Sequence, residues 1–282
     1  MDIQCIAAFS DNGRGGNPAG VVLLDAPIPD VEMARVASEV GYSETVFAVR
    51  NSDGASGWRA RYFSPETEVP FCGHATIALG AVLGERFGAG TYNPTLNDTT
   101  ISVEAEATVE GMAATLTSPP TRSRAATEEE AADALELFGL TTRDLDDRLP
   151  PARIHGGADH VILALHDRAR LAAINYNLDQ GREVMRRHGL VTIMIVYVED
   201  ERTFVVRNAF ASGGVLEDPA TGAAAAAFAG YLRDRCWPHG GHFVIRQGED
   251  MGAPSIINVR LTDEVGAPVH VAGKAHTIID QC

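Results

Sequence analysis

Gly73-His74-Ala75-Thr76-Ile77-Ala78-Leu79-Gly80-Ala81-Val82-Leu83 is apolar on nearly every side of a helical period. Such a helix has no face to offer water and must be buried all round. A second stretch of this kind, 220–232, is built almost wholly of alanine and other apolar residues and lies in the other half of the 282-residue chain. The flanking residues match as well. Arg61-Tyr62-Phe63-Ser64, a loop and Cys72-Gly73-His74-Ala75-Thr76 are echoed 146 or 147 residues later by Arg207-Asn208-Ala209-Phe210, a loop and Asp218-Pro219-Ala220-Thr221-Gly222. Alanine-rich sequence makes chance similarity easy. Buried-all-round helices are uncommon, however, and one in each half favours a duplicated domain.

Working outward, strands are expected at 3–9 and 20–24, on either side of the turn-forming run Asp11-Asn12-Gly13-Arg14-Gly15-Gly16-Asn17-Pro18. Pro29-Asp30 opens a helix carrying Val31, Ala34, Val36, Ala37 and Val40, which Gly41 stops. Strands follow at 45–49, 58–63, 99–104 and 112–117, and Ser118-Pro119-Pro120-Thr121 then breaks the pattern. Beyond it the chain predicts helices at 128–138 and 179–188 and strands at 160–165, 191–198 and 203–210. The expected architecture is α/β (α+β): two pseudo-symmetric domains, 1–118 and 119–267, each a mostly antiparallel sheet wrapped around its central apolar helix. The last strand, about 268–280, is a candidate to return to the first domain.

The balance of 23 basic and 38 acidic side chains, a net charge of −15, opposes binding to nucleic acid and to anionic membrane surfaces. Any anionic substrate must then be held by local groups. Cys5, Cys72, Cys236 and Cys282 lie far apart, which fits neither a disulfide framework nor a thiolate zinc site, and points to a reducing, cytoplasmic setting. The first residues lack the basic and apolar regions of a signal peptide, and no apolar run approaches the roughly 18 residues of a membrane helix. A soluble, unprocessed protein is expected.

The starts of the two apolar helices are where chemistry can sit. Their unsatisfied N–H groups and aligned peptide dipoles can hold a carboxylate without arginine or metal, and Gly73 and Gly222 allow close approach. Asp218 before Pro219 also reads as an ordinary N-cap followed by proline at the first helical position. His74 is either a satisfied core histidine or a donor or acid at the helix start. Cys72 is either an inert buried thiol or a base or nucleophile activated by the helix N-terminus. Glu44 precedes an apolar strand, either as a solvated edge charge or as a base, since apolar neighbours favour a carboxyl's neutral form and so suit reversible proton transfer. No phosphate-binding or dinucleotide fingerprint is complete, and His239 and His242 are too isolated to argue for a metal. No cofactor and no metal are expected.

Taken together, Gly16-Asn17-Pro18-Ala19, Ser43-Glu44-Thr45, Pro70-Phe71-Cys72-Gly73-His74-Ala75-Thr76, Glu217-Asp218-Pro219-Ala220-Thr221-Gly222 and Gln247-Gly248-Glu249 with Gly252 and Pro254-Ser255 resemble the phenazine-biosynthesis-like isomerases, within the wider diaminopimelate epimerase-like fold. The resemblance runs over nearly the whole chain. It implies two similar α/β domains with the substrate between them, no metal or organic cofactor, and a homodimer. In the family's characterised isomerase a glutamate matching Glu44 shuttles a proton between carbons of a dihydro-hydroxyanthranilate, assisted by a histidine matching His74 and an aspartate matching Asp218. The implied substrate contacts fall on Asn17, Cys72, Gly73, Gly222 and Ala223.

Two positions depart from that isomerase: Ala223 replaces a serine, and Ala253 replaces a common arginine. Cys72 fits the first catalytic thiol of the two-thiol epimerases and racemases. Pro219, which cannot transfer a proton, stands where the second would fall. The resemblance therefore implies an isomerase of a small carboxylate metabolite. The alternatives are an epimerase or racemase using Cys72, and a non-catalytic binding protein that keeps the cleft.

Overall fold

The computed structural model describes residues 1–51, 57–97, 99–109 and 111–279. They form two compact units, Met1–Thr117 with Ala272–Cys282, and Ser118–Val271. The first unit runs β1 (Gln4–Ala8), β2 (Asn17–Leu24), α1 (Asp30–Val40), β3 (Thr45–Arg50), β4 (Gly57–Phe63), the short β5 (Glu68–Val69), α2 (Gly73–Phe87), β6 (Gly90–Thr95), β7 (Val103–Thr108) and β8 (Gly111–Thr117). The second contains β9 (Arg122–Ala125), α3 (Glu128–Leu137), β10 (Ala152–His155), β11 (Asp159–Leu165), α4 (Arg168–Ala172), α5 (Leu178–Arg187), β12 (Thr192–Val198), β13 (Thr203–Ala209), α6 (Gly222–Asp234), β14 (His242–Gln247) and β15 (Ser255–Arg260). β16 (His270–Thr277) then pairs with β8 and, antiparallel, with β1. An eight-stranded barrel closes in the order β1-β2-β3-β4-β6-β7-β8-β16.

Duplication is written in the hydrogen-bond ladders. From β1 through β2, β3, β4 and β6 to β7 the pairings alternate antiparallel, parallel, antiparallel, parallel, antiparallel. The same alternation runs from β10 through β11, β12, β13 and β14 to β15. Each parallel step needs a crossover. In both units the crossover between the fourth and fifth strands of this series carries the apolar helix.

Helix α2 fills the barrel. Gly73 to Gly84 are all buried, and the helix packs against β1, β2, β3, β6, β7 and β8. Gly80 is required by this fit: a Cβ there would stand 2.5 Å from Val103 Cγ2 and 2.9 Å from the Ala114 Cβ. In the second unit α6 packs against β9, β10, β11 and β15, and Ala224–Arg233 are buried. Its alanines admit close backbone approach, since a Cβ on Gly156 would lie 2.7 Å from the Ala227 nitrogen. The outer face of that sheet is covered by a separate core in which Leu135 and Phe138, Met185, Val161, Leu163, Ile193 and Ile195 meet. Among the described residues no helix is long and apolar enough to cross a membrane.

Three expectations change. Helix α6 begins at Gly222, with Thr221 as N-cap, so Asp218 is not the N-cap and Pro219 not the first helical residue. The strand expected at 99–104 lies at Val103–Thr108, and β6 was hidden by Asn93-Pro94. Pro94 lies beyond the β6–β7 ladder of Gly90–Tyr92, where its carbonyl accepts from the Ile101 amide at 3.0 Å and no ladder bond takes a donor from it. Cys5 is disulfide-bonded, against the reading of widely separated cysteines as unlinked, whereas Cys72 is a buried and Cys236 an exposed thiol. Cys282 and Asp280 lie outside the described residues.

Candidate active site

In the first unit the turn after α1 delivers Glu44 to the start of β3, and the β4–β5 segment leads the chain into α2 at Cys72. Cys72 is the N-cap in an extended conformation, Gly73 the first helical residue and His74 the second. The N-cap carbonyl is held twice, by the Thr76 amide at 3.1 Å and by the Thr76 hydroxyl, which donates to it at 2.7 Å. With that proton used, the Thr76 oxygen accepts from Tyr62 OH at 2.7 Å. Burial pushes the Tyr62 phenol well above its ordinary pKa, so it serves as a fixed donor. This chain of three groups ties the helix start to β4.

The result is a compact trio. His74 Nε2 lies 3.4 Å from Glu44 Oε2 and 3.3 Å from Ser43 Oγ, and His74 Nδ1 lies 3.3 Å from Cys72 Sγ. The His74 and Glu44 side chains are only 7% and 12% exposed, so water competes little for them. Glu44 Oε2 is buried and has no hydrogen-bond partner, its approach to His74 being close but poorly directed for one. A buried acceptor left unpaired costs about 1–3 kcal/mol, and more when it is charged. A carboxylate, an imidazole and a thiol whose ligand atoms lie within 4.8 Å of one another can relay protons, and they are also a set able to ligate a metal. Asn17 opens β2, buried, opposite Ala8.

The second unit places Asp218, Gly222 and Ala223 at the start of α6. The Asp218 amide donates to Asn208 O at 3.0 Å, and its Oδ2 accepts from the Thr221 hydroxyl at 2.5 Å. Gln247 Nε2 donates to Asp218 O at 2.7 Å and lies 3.1 Å from Thr221 Oγ1. Gly248 must be glycine here, with φ +77° and a Cβ that would stand 2.9 Å from Pro219 O. Ser43, Thr76, Thr221 and Gln247 were not singled out in the sequence as site residues. All four sit inside the quoted motifs, but the bonds they make are read only from the folded chain.

Helix-centred sheets of this repeated topology define the epimerase-like fold. Residues 6–281 match the phenazine biosynthesis-like protein family, and the chain belongs to that family and is an enzyme of the isomerase class. An "Uncharacterized isomerase" of Deinococcus radiodurans is 32% identical over 264 residues, covering 91% of this chain and 85% of that protein. An isomerase of the same description from Escherichia coli K12 is 28% identical over 288 residues, covering 96% and 94%. The crystal structure of a Bacillus anthracis protein of the same family superposes with a TM-score of 0.85 at 23% identity, covering 99% of this chain and 98% of that one. A probable proline racemase from Agrobacterium radiobacter shares the fold at a TM-score of 0.65 and 12% identity, covering 98% and 90%.

Proposed function

We propose that this isomerase moves a proton on a small carboxylate-bearing metabolite without a cofactor, with Glu44 as the base that takes the proton and the acid that returns it. The observation that carries this reading is the buried, unpartnered Glu44 Oε2 beside His74 Nε2. A carboxylate kept out of water and left with a free lone pair can accept a proton from a bound carbon acid. His74, placed between Glu44 and Cys72, donates to the electron-rich intermediate or holds the carboxylate in place. The amide of Gly73, at the start of α2, is proposed to receive the substrate's carboxylate.

The test is a screen of small carboxylates in heavy water, read by mass spectrometry. Wild-type enzyme incorporates solvent deuterium into its substrate with no added cofactor, and Glu44→Gln lowers that rate roughly 10²–10⁴-fold while still binding ligand. A Glu44→Gln enzyme within a few-fold of wild type overturns the assignment.

A second reading is supported by the 3.3 Å contact of Cys72 Sγ with His74 Nδ1, which can hold a thiolate against an imidazolium. Cys72 would then be one base of an epimerase. Cys72→Ala separates the two: exchange at a chiral centre is abolished under this reading and retained when Glu44 alone is the base.

A further inference from the structure

The geometry points to a zinc-binding site formed by Glu44, Cys72 and His74 that switches the enzyme off by occupying its base. Zinc takes carboxylate oxygen and imidazole nitrogen at about 2.0–2.2 Å and thiolate sulfur at about 2.3 Å, so neighbouring ligands in a tetrahedron stand roughly 3.3–3.6 Å apart. Glu44 Oε2 and His74 Nε2 are already 3.4 Å apart. Cys72 Sγ is 3.9 Å from the same nitrogen, and one ligand atom from each of the three residues falls within 4.8 Å of the others. Sγ now stands nearer His74 Nδ1, at 3.3 Å, so a change of the Cys72 side-chain rotamer is what brings the sulfur to the Nε2 side.

Two further features suit the cation. Glu44 Oε2 is buried and unpartnered within this trio, so coordination satisfies an atom that the protein leaves unsatisfied. A water can fill the fourth position, as in zinc sites with three protein ligands. On binding, the Cys72 thiol gives its proton to solvent and the carboxylate binds as the anion. A thiolate ligand selects zinc over the hard cations magnesium and calcium. Binding rests on geometry alone. The inhibitory consequence rests on the proposal that Glu44 is the catalytic base, because a coordinated carboxylate cannot abstract a proton.

The experiment titrates the metal-free full-length protein with Co²⁺ as the spectroscopic probe and Zn²⁺ as the competitor. One equivalent of Co²⁺ binds with a thiolate charge-transfer band in the near ultraviolet, and Zn²⁺ but not Mg²⁺ displaces it. The band persists in Cys236→Ala, is lost in Cys72→Ser, and Glu44→Gln weakens binding at least about 100-fold, as loss of a direct ligand should exceed the 10–100-fold cost of losing a supporting one. Should Cys72→Ser fail to fold, wild-type protein supplies the second measurement: Zn²⁺ slows alkylation of Cys72 at least tenfold and leaves Cys236 unprotected. Absence of Co²⁺ uptake at tenfold excess, or a charge-transfer band surviving in Cys72→Ser, overturns the site. Proton exchange measured with a chelator present tests the Glu44 reading separately, so each can fail without the other.

Discussion

Glu44 and His160 show how differently two buried titratable groups can be used. Glu44 keeps an unpaired oxygen beside a histidine and is proposed to act on substrate. His160, fully buried on β11, has Nδ1 2.7 Å from Thr192 Oγ1 and Nε2 unpaired, with no carboxylate or thiol in hydrogen-bond contact with it among the described residues, and burial holds its pKa down to about 3. A neutral buried histidine takes up its proton only in the unfolded chain, so its contribution is complete above about pH 6.5 and is lost as pH falls towards 3. Between about pH 6 and 4 this one residue should remove roughly 1.4 kcal/mol of stability per pH unit. Urea unfolding at several pH values checks this: His160→Gln should flatten the acid slope by about that amount, and an unchanged slope refutes it. Glu130 acts lower on the scale. Hydrogen bonds from Arg124 lead in holding it down to about 2, so its contribution is lost only below its ordinary value near 4.5.

At the scale of elements, the parallel β2–β3 ladder sets the base. Gly20 sits opposite Thr45, its amide donates to Glu44 O at 3.2 Å, and a Cβ there would stand 2.7 Å from Thr45 Oγ1 and 2.9 Å from its Cγ2. Gly20→Ala should therefore push the start of β3 and Glu44 with it, lowering proton exchange roughly 10²-fold, as an ångström of misplacement can. A Thr45→Ser change in the same variant should restore part of the loss by removing the obstructing methyl. Equal exchange rates in wild type and Gly20→Ala would remove the ladder from the account. Helix α2 was legible in the sequence from Cys72 onward because its all-round apolarity requires burial on every side; that a closed barrel supplies it is read from the strand order. Helix α6 was legible as an element but not at its start. Asp218-Pro219 has the composition of a cap, yet the Asp218 carboxylate bonds the Thr221 hydroxyl and the chain turns helical only at Gly222.

For the molecule as a whole, β16 matters most, because it completes one unit from the far end of the chain. A chain ending at Val271 keeps every residue of the unit Ser118–Val271 but strips the barrel of its closing strand, leaving β1 and β8 with unpaired edges. Hydrogen exchange read by mass spectrometry should show protection falling in Gln4–Ala8 and Gly111–Thr117 by orders of magnitude, with β11, β12 and β13 little changed. Uniform loss across both units would mean that they do not fold as separate cores.

What the sequence determined by itself was the duplication, the two buried helices and the family; it offered Glu44, Cys72, His74 and Asp218 as candidates. Each is carried by local composition or by strings whose order along the chain is specific. Only the tertiary structure decided that Glu44 Oε2 is unpartnered, that His74 stands between carboxylate and thiol, and that Asp218 is bonded to Thr221 instead of capping the helix. The meeting of Glu44 with Cys72 and His74 depends on strand register across 28 or more residues of chain, whereas the Asp218–Thr221 bond spans three residues and depends on where the helix starts. Burial and hydrogen-bond direction are properties of packed neighbours, and no local pattern of residues encodes them.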